Sequence, residues 1–521
     1  MLISGFLKKA GGLRVKEVFS HYTNYKMKTI LIFILLFLFI PFSFPGNIEK
    51  ENNQVSLSAN AGNDAVTRDK TEFTIVSFGS GGQIKMIYDR RHRPQSVFLN
   101  NKVYIVYNGG ASMSAEDKER TYPFVTSFNP KTGVLSSPIQ LGTKGSHDHH
   151  YCPIIWVDNN DFFHILSGNH STAGTHLISK KRADIGESAA DWTVAPQVRH
   201  SLSYPTVYNI YDNKKLMYFR TGEHRSAWTY LISSDEGKTW TGPKNNVVDL
   251  NAGGETTDEN FKLGLPEWAS YETCLPGKDG KFLHVAFCYY DDNKKNIPDK
   301  FYNPRYHTEK NLDLKYNLYY VKINLQTHEV KNFAGETVRT PVDLAEANYR
   351  CKIWDTDWRG SGIPPEIIID ENNNPAFLHM LSEDTPEQFN YYYVRYVKNE
   401  WKETVIAPSD HFWNSSYLKL DGKGVLHAYL IMSNGKYDRG KGINRYGGGN
   451  IEEWCSYDKG NTWKRIQNLI QGNPEYRGWK FNNIQPVEDP KGNIIDNMLL
   501  FYGWKDEATS ETKGFLLYDK K

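Results

Sequence analysis

The sequence predicts an all-β protein whose main domain is a seven-bladed β-propeller. Aromatic residues make up 14% of the chain, with 33 Tyr and 13 Trp, and Gly, Asn and Asp recur between short apolar runs. This composition favours strands and tight turns. One hairpin pattern recurs seven times, and two copies of an S-x-D-x-G-x-T-W turn, residues 233–240 and 456–463, are typical of the outer strands of propeller blades.

Each hairpin consists of an apolar strand, an Asn/Asp/Gly turn and a second strand rich in aromatic and β-branched residues. The turns fall near residues 100, 159, 213, 278, 372, 422 and 490. Successive turns are separated by about 50 to about 94 residues, which leaves room for a four-stranded sheet in each repeat. A double β-sandwich is the alternative architecture.

Residues 1–46 are predicted to be an N-terminal extension with a signal peptide. The apolar run at 30–40, ILIFILLFLFI, is too short to span a bilayer but suits the core of an export signal, and Lys26 and Lys28 precede it. Met27 is the expected start of translation. We therefore expect a secreted or periplasmic protein without stable membrane insertion after signal removal. An N-terminal membrane anchor is the alternative.

The remaining chain is expected to comprise a lead and one catalytic domain. Residues 47–74 are polar and aperiodic and predict a flexible lead, so the propeller is expected over residues 75–521. Residues 1–46 hold six basic and one acidic residue, and the rest of the chain holds 56 basic and 59 acidic residues. This balance does not indicate a nucleic-acid partner.

The five cysteines show no C-x-x-C spacing, so disulfides are not expected to stabilise the fold. Cys274, His284, Cys288 and His307 nevertheless lie within 34 residues, and a structural zinc could use three or four of them. His284 and Cys288 are roughly 13 Å apart if both lie on one regular strand, so one ion cannot take both without a bend. The candidate structural ligands are therefore Cys274, Cys288 and His307.

Histidines are concentrated before and within the second hairpin. Five of the 16 fall within residues 145–170. If Asp158 ends the first strand and Phe162 begins the second, His150 pairs with His170 at the open end of the hairpin. His149 replaces His150 if the turn is one residue shorter.

The third hairpin carries corresponding polar residues. With Asp212 as the counterpart of Asp158, Tyr204 corresponds to His150 and His224 corresponds to His170. The same register places Arg220 opposite Tyr208, on the side of Tyr204. Adjacent blades are thus expected to bring His150, His170, Tyr204 and Arg220 to one rim, with His224 nearby.

These side chains suit β-elimination on a uronic acid. Tyr and His can transfer protons, and Arg or a protonated His can neutralise a carboxylate, which acidifies the hydrogen on the adjacent ring carbon. Arg220 beside Tyr204 is expected to favour the phenolate by charge proximity. This chemistry requires no metal or organic cofactor.

Several of these residues also have purely structural interpretations. His164, His284, His379 and His427 are expected to be core histidines, while His147 and His149 could be exposed loop residues. Tyrosine is abundant in this chain, and an arginine could form a surface salt bridge.

The spacing H-x7-D-x5-H-x5-H, met by His150, Asp158, His164 and His170, resembles that of a known family. The two S-x-D-x-G-x-T-W turns are of the kind called Asp boxes. Together with them and the Tyr204/Arg220 hairpin, the spacing resembles the BNR/Asp-box propellers that include the ulvan lyases of polysaccharide lyase families 24 and 25.

The resemblance implies β-elimination on ulvan, a sulfated algal polymer that contains uronic acids, and a 4,5-unsaturated uronate product. It implies that Tyr204 acts as base and acid, that His150 shares proton transfer or neutralises the carboxylate, and that His170 and Arg220 hold the acidic group.

Other functions remain open at this stage. Related propellers resemble oligosaccharide dehydratases or rhamnosidases that act at a terminal uronate. A non-catalytic sugar-binding propeller is the alternative from another class, and Trp413 and Trp358 in predicted loops fit it because aromatic rings stack on sugars. A sialidase is not expected, because the chain lacks an R-I-P motif. The expected partner is an anionic polysaccharide or oligosaccharide.

Overall fold

The computed structural model describes residues 73–82, 84–110, 120–143, 145–253, 268–292, 303–308, 312–432, 444–470, 473–505 and 512–519. All of them belong to one compact unit, Lys70–Lys521. The predicted signal peptide, and the lead up to residue 72, lie outside the described residues. Within these ranges the chain contains no helix of the length and apolar character needed to cross a membrane.

The described strands form seven antiparallel sheets, which are the predicted seven blades. Blade 1 contains β2 (Ser96–Leu99), β3 (Lys102–Gly109), β4 (Tyr122–Asn129), β5 (Val134–Leu135) and β6 (Ile139–Gln140). Blade 2 contains β7 (Ile154–Val157), β8 (Phe163–Ser167), β9 (Thr175–Ser179) and β10 (Trp192–Val194). Blade 3 contains β11 (Ser203–Asn209), β12 (Lys215–Arg220) and β13 (Trp228–Ser233). Blade 4 contains β14 (Trp268–Pro276), β15 (Phe282–Asp291), β16 (Lys315–Asn324), β17 (Val330–Lys331), β18 (Lys352–Trp354) and β19 (Gly360–Ser361). Blade 5 contains β20 (Glu366–Ile369), β21 (Pro375–Ser382), β22 (Phe389–Val397) and β23 (Glu400–Ser409). Blade 6 contains β24 (Ser416–Leu420), β25 (Leu426–Met432), β26 (Asn450–Ser456) and β27 (Lys464–Asn468).

Blade 7 joins the two ends of the domain. The strand β1 (Phe73–Gly81) pairs with the last of three C-terminal strands, β28 (Lys480–Glu488), β29 (Ile494–Trp504) and β30 (Thr512–Asp519). The ring is therefore closed by backbone hydrogen bonds between the first and last strands. Because β1 begins at Phe73, the propeller begins two residues before the predicted boundary.

The helices found in the described part of the chain are short and lie in the connections. They are the α-helix α1 (Leu344–Glu346), the π-helix Ala347–Cys351 and the 3-10 helices His149–Tyr151, Ala189–Asp191, Tyr211–Asn213 and Pro474–Tyr476.

The predicted register is correct in blade 2 and wrong in blade 3. In blade 2, Ile154 pairs with Leu166, in agreement with the pairing that places His150 beside His170. In blade 3, Arg220 pairs with Ser203 and not with Tyr208. The connection is as long as in blade 2, but it begins at Ile210 and not at Asp212: the Ile210 nitrogen donates to the Lys214 carbonyl oxygen as the Asp158 nitrogen does to that of Phe162.

Both Asp-box turns have the predicted geometry. In the second copy, Asp458 accepts hydrogen bonds from the Thr462 backbone nitrogen and hydroxyl, and the Gly460 nitrogen donates to the Ser456 hydroxyl. Gly460 has a φ of 87°, which glycine adopts without strain. The Trp463 ring packs edge-on against Tyr393 of blade 5.

A segment between β1 and β2, residues 84–95, lies among the blades and is called here the central segment. Arg93 forms a parallel bridge with Thr206 of blade 3 and an ion pair with Glu366 of blade 5. Tyr88 donates to the Asn483 carbonyl oxygen of blade 7. A segment that contacts blades on several sides must lie near the axis of the ring.

Candidate active site

Asp148 holds the two predicted histidines side by side. It caps the 3-10 helix His149–Tyr151, where one carboxylate oxygen accepts from the His150 backbone nitrogen. The same oxygen lies 2.6 Å from His150 Nδ1, and the second oxygen lies 2.8 Å from His170 Nδ1. The two imidazole centroids are 4.3 Å apart. Both Nδ1 atoms therefore donate to one carboxylate, and both Nε2 atoms are left for other partners.

Tyr204 lies against this histidine pair. Its ring centroid is 5.6 Å from that of His150 and 5.7 Å from that of His170. Tyr204 has a φ of 55° and occupies the irregularity between β11 and β12, where the ladder shifts between Ser203 and Thr206. A positive φ is unfavourable for a bulky residue, and such bulges redirect side chains near functional sites.

Two guanidinium groups flank the Tyr204 ring. The Cζ atom of Arg220 is 4.7 Å from the ring centroid, and that of Arg91 is 4.5 Å from it. Arg91 is paired with Asp89 of the central segment, whereas both terminal nitrogens of Arg220 are buried without a hydrogen-bond partner among the described residues. A buried, unpaired guanidinium is costly unless an anion binds it.

Burial determines the ionisation of Tyr204. Desolvation raises the pKa of the Tyr204 phenol well above its usual value, and the attraction of Arg91 and Arg220 only partly opposes it. Arg220 thus favours the Tyr204 phenolate by charge proximity, as expected, but burial outweighs this effect. Tyr204 is a protonated phenol at neutral pH, and its hydroxyl has no hydrogen-bond partner among the described residues.

A second tyrosine, Tyr271 on β14, shares the same cations. Its ring centroid is 5.8 Å from that of Tyr204. Burial acts to raise the pKa of Tyr271, but Arg220, Arg91, His224 and Lys315 outweigh burial and hold this pKa below its usual value. The surrounding cations therefore favour the phenolate form of Tyr271.

His150 is neutral at neutral pH. Burial lowers the pKa of His150 to about 4, although the hydrogen bond with Asp148 opposes the shift. Burial acts to raise the pKa of Asp148, but the hydrogen bonds from His150 and His170 outweigh it, so this pKa stays well below its usual range. A neutral imidazole whose Nδ1 hydrogen is given to a carboxylate presents a lone pair at Nε2, which can accept a proton.

A cavity of about 230 Å³ is lined by His150, Arg91 and Tyr271 of this cluster, whereas Tyr204, His170 and Arg220 are not among its lining residues. His149, Tyr271, Trp413 and Asn482 line it from blades 2, 4, 6 and 7, each at or before the first strand of its blade. The cavity therefore lies at the end of the ring axis where the innermost strands begin, as predicted. Trp413, which is 37% exposed, is well placed to contact a sugar there.

The remaining histidines follow the sequence interpretation with one refinement. His164, His284, His379 and His427 are all buried. His147 is exposed, whereas His149 is half-buried and stacks 3.6 Å from His150, centroid to centroid. His149 therefore supports His150 and is not its replacement. His224 lines the cavity, and its Nδ1 lies 3.2 Å from a carboxylate oxygen of Asp292.

The structure does not assemble the predicted zinc ligands. Cys274 pairs with Val285 in the ladder between β14 and β15, whereas Cys288 lies three residues further along β15. That offset separates the two by roughly 10 Å along the strands. Among the described residues, no cluster of three potential ligands within 4.8 Å of one another contains Cys274, Cys288 or His307. The prediction of zinc at these three residues is therefore wrong.

Two other clusters at the active-site cavity have metal-ligand spacing. They are Asp89 with His149 and His150, and Asp148 with His150 and His170. In the second cluster both Nδ1 atoms are already hydrogen-bonded to Asp148. The imidazoles can therefore act as proton-transfer groups as they stand.

Sequence reasoning missed the contribution of the central segment and of blade 4. Asp89, Arg91 and His92 come from the sequence DRRHRP, and the buried His92 ring packs edge-on against Tyr204 with centroids 5.2 Å apart. The only signal was a dense basic stretch directly after the first strand. Tyr271 carried no signal among 33 tyrosines.

Fold and site together define a seven-bladed β-propeller enzyme whose reactive groups meet at one end of the ring axis. The chain belongs to the BNR repeat-containing family, whose model, described as "BNR repeat-containing family member", matches residues 113–408.

Similar proteins carry lyase names. A protein named ulvan lyase from Nonlabens ulvanivorans is 23% identical over 481 residues, which cover 85% of this chain and 88% of that protein. A protein named Ulvan Lyase-PL25 from Pseudoalteromonas sp. (strain PLSV) is 24% identical and covers 66% of this chain and 69% of its own length. A solved ulvan lyase structure of family PL25, bound to -[GlcA(1-4)Rha3S]-, superposes with a TM-score of 0.63 at 19% identity, over 85% of this chain and 95% of that one.

Proposed function

We propose that this protein is a secreted polysaccharide lyase that cleaves a uronic-acid-containing, sulfated polysaccharide of the ulvan type by β-elimination. The observation that carries the proposal is the convergence, on one buried cluster, of a neutral His150, a protonated Tyr204 hydroxyl and the two terminal nitrogens of Arg220. Neither the hydroxyl nor these nitrogens have a hydrogen-bond partner among the described residues. The names of the relatives support the substrate class, and the predicted signal peptide supports secretion.

The carboxylate of the sugar is the group that the cluster is suited to hold. Arg220 offers two terminal nitrogens that are buried without a partner among the described residues. His170 gives its Nδ1 hydrogen to Asp148, so its Nε2 carries a lone pair and can donate to a carboxylate only if the ring gains a second proton. Binding at the Arg220 nitrogens withdraws charge from the carboxylate, so the hydrogen on the adjacent carbon C5 becomes more acidic.

The proton transfers are divided between His150 and Tyr204. His150 Nε2 accepts the C5 hydrogen, the C5–H electron pair forms the C4–C5 double bond, and the C4–O bond breaks. The Tyr204 hydroxyl then protonates the departing glycosidic oxygen. This division revises the expectation that Tyr204 serves as both base and acid, because its buried phenol stays protonated.

Product analysis tests the proposal. Purified protein is incubated with ulvan polymer and separately with its oligosaccharides, and the products are followed by the ultraviolet absorbance of the conjugated uronate and by mass. A lyase produces shortened, unsaturated chains from the polymer. Loss of water from short fragments only would instead indicate a dehydratase, and unchanged substrate that binds the protein would indicate a sugar-binding propeller.

A further inference from the structure

A second chemically distinctive cluster lies in blade 6, outside the candidate active site. His427 on β25 and Glu453 and Cys455 on β26 bring an imidazole, a carboxylate and a thiol together. His427 Nδ1 lies 2.9 Å from Glu453 Oε1 and 3.3 Å from Cys455 Sγ, and the sulfur lies 3.9 Å from the same carboxylate oxygen. The three residues are 0% to 5% exposed.

A tetrahedral metal centre needs ligand-atom separations close to these, but not equal to them. Zinc binds nitrogen and oxygen at about 2.0 to 2.2 Å and sulfur at about 2.3 Å, so neighbouring ligand atoms of a tetrahedron lie about 3.4 to 3.6 Å apart. The three measured distances fall on either side of that range. Nitrogen, oxygen and thiolate sulfur are also the ligand types that zinc accepts.

The backbone and the surrounding side chains hold the ligands in place. His427 and Cys455 are direct partners in the β25–β26 ladder, and Glu453 lies two residues from Cys455 and therefore on the same face. His427 Nε2 lies 3.4 Å from Asp421 Oδ2. A carboxylate behind a histidine is a typical support for a metal ligand.

Charge favours a dication at this position. A zinc ion bound to the Glu453 carboxylate and the Cys455 thiolate forms a group with no net charge. Gln467 contacts the second Glu453 oxygen at 2.7 Å, and its side-chain amide can present an oxygen as fourth ligand by turning over.

Blade 2 provides an internal comparison. Asp158 and His164 repeat the arrangement of Asp421 and His427, but His176 takes the place of Glu453 and Ile178, paired with His164, takes the place of Cys455. Within the described residues, that site is not a cluster of three potential ligands. The thiol and the carboxylate are thus particular to blade 6.

We propose that His427, Glu453 and Cys455 form a structural zinc site that joins β25 to β26. The site is independent of the proposed catalytic reaction, and its ligands differ from the set that the sequence predicted.

The metal content of the purified, tag-free full-length chain tests the site. We expect one zinc per chain for the wild type and loss of most of that zinc in Cys455→Ser. Cys288→Ser is the matched control, because Cys288 is equally buried and lies 3.9 Å from His379 Nε2 but belongs to no three-ligand cluster among the described residues. This control should keep its zinc.

Two further measurements establish which residues hold the zinc. His170→Ala should retain the zinc, because it changes only the active-site histidines. Exchange of zinc for cobalt should give a thiolate-to-cobalt charge-transfer band in the wild type and in Cys288→Ser, which tests the site even if Cys455→Ser fails to fold. Wild-type protein that stays free of zinc after dialysis against zinc, or zinc that is lost in His170→Ala, overturns the proposal.

Discussion

At the scale of single residues, Asp148 positions the two histidines of the proposed chemistry. It accepts the Nδ1 hydrogens of His150 and His170, and so sets the tautomer of both rings. The sequence could place the two histidines together, because pairing register follows from a short turn. It could not identify Asp148 as their common acceptor, since that role depends on the 3-10 helix that Asp148 caps.

Replacement of Asp148 by Asn tests this positioning role. Asn can accept through one atom only, so one histidine loses the tautomer that directs its lone pair toward the cavity. We expect kcat to fall by roughly 100-fold or more, as for loss of general base catalysis, with KM nearly unchanged. Steady-state kinetics measures kcat and KM separately. Asp158→Asn, which alters the turn near the core residue His164, serves as control, and equal losses in both variants would argue against the role.

Replacement of Arg220 by Ala tests carboxylate binding. The buried guanidinium is expected to neutralise the uronate in the transition state, so kcat/KM on ulvan should fall by roughly 100- to 1000-fold, as for loss of one preorganised donor. Arg199→Ala, which removes a guanidinium that packs 5.6 Å from the Phe219 ring centroid, is the matched control. Unchanged turnover in Arg220→Ala would exclude this residue from substrate binding.

The pH dependence of turnover tests the ionisation of His150. Its pKa is lowered to about 4, so the basic form is present above that pH, and no loss of activity from His150 is expected near the ordinary histidine value of about 6.5. The acidic limb of kcat/KM should therefore lie below about pH 6. A limb centred near pH 6.5 would contradict the assignment of a buried, neutral base.

At the scale of strands and turns, the prediction succeeded where the first residue of the turn was identified correctly, at Asp158, and failed where it was not, because the turn of blade 3 begins at Ile210 and not at Asp212. The Asp158 turn carries its expected hydrogen bonds, with the Asp158 nitrogen donating to the Phe162 carbonyl oxygen at 3.0 Å. In blade 3, Asp212 and Asn213 both adopt positive φ inside a 3-10 turn. Because Asp212 lies inside the turn, Arg220 pairs with Ser203 and not with the predicted partner Tyr208. The bulge at Tyr204 then brings Tyr204 and Arg220 together in a way that no regular register predicts.

The Asp-box turns are expected to contribute stability and not activity. Asp458→Ala removes three hydrogen bonds that the carboxylate accepts from Ser456 and Thr462. Because this turn is exposed, we expect a loss of about 1 to 2 kcal/mol in the free energy of unfolding. Chemical denaturation measures the loss, and ulvan turnover should stay at the wild-type level. A large fall in turnover would contradict a purely structural role.

At the scale of the whole molecule, the propeller class followed from composition, repeat length and Asp boxes. The active site was only partly predictable, because it draws on parts of the chain that are distant in sequence. Arg91 comes from the central segment, with its Cζ atom 4.5 Å from the Tyr204 ring centroid, and Tyr271 comes from blade 4, with its centroid 5.8 Å away. These contacts depend on the packing of blades 3 and 4 and the central segment, which sequence spacing does not encode.

Buried histidines near the axis should make the fold sensitive to acid. Burial lowers the pKa of His92 to about 3, and both ring nitrogens lack a hydrogen-bond partner among the described residues. The unfolded chain binds a proton at this residue below about pH 6.5 and the folded chain does not, so stability is lost as pH falls from about 6.5 toward 3. The slope from one such group is at most about 1.4 kcal/mol per pH unit.

The variant His92→Phe should have a shallower dependence of Tm on pH between about 7 and 4 than the wild type. Thermal unfolding at a series of pH values measures the two slopes. Identical slopes in both proteins would show that His92 already binds a proton in the folded state.

The central claim is that one phenol and one imidazole, delivered by neighbouring blades, carry out β-elimination on a bound uronate. The most direct test is the initial rate of unsaturated uronate formation from ulvan by the wild type and by Tyr204→Phe, at equal concentrations of folded protein. Our account predicts a steady rise for the wild type and a rate at least roughly 100-fold lower for the variant, because the ring is retained and only the proton donor is lost. Equal rates for the two proteins would contradict it.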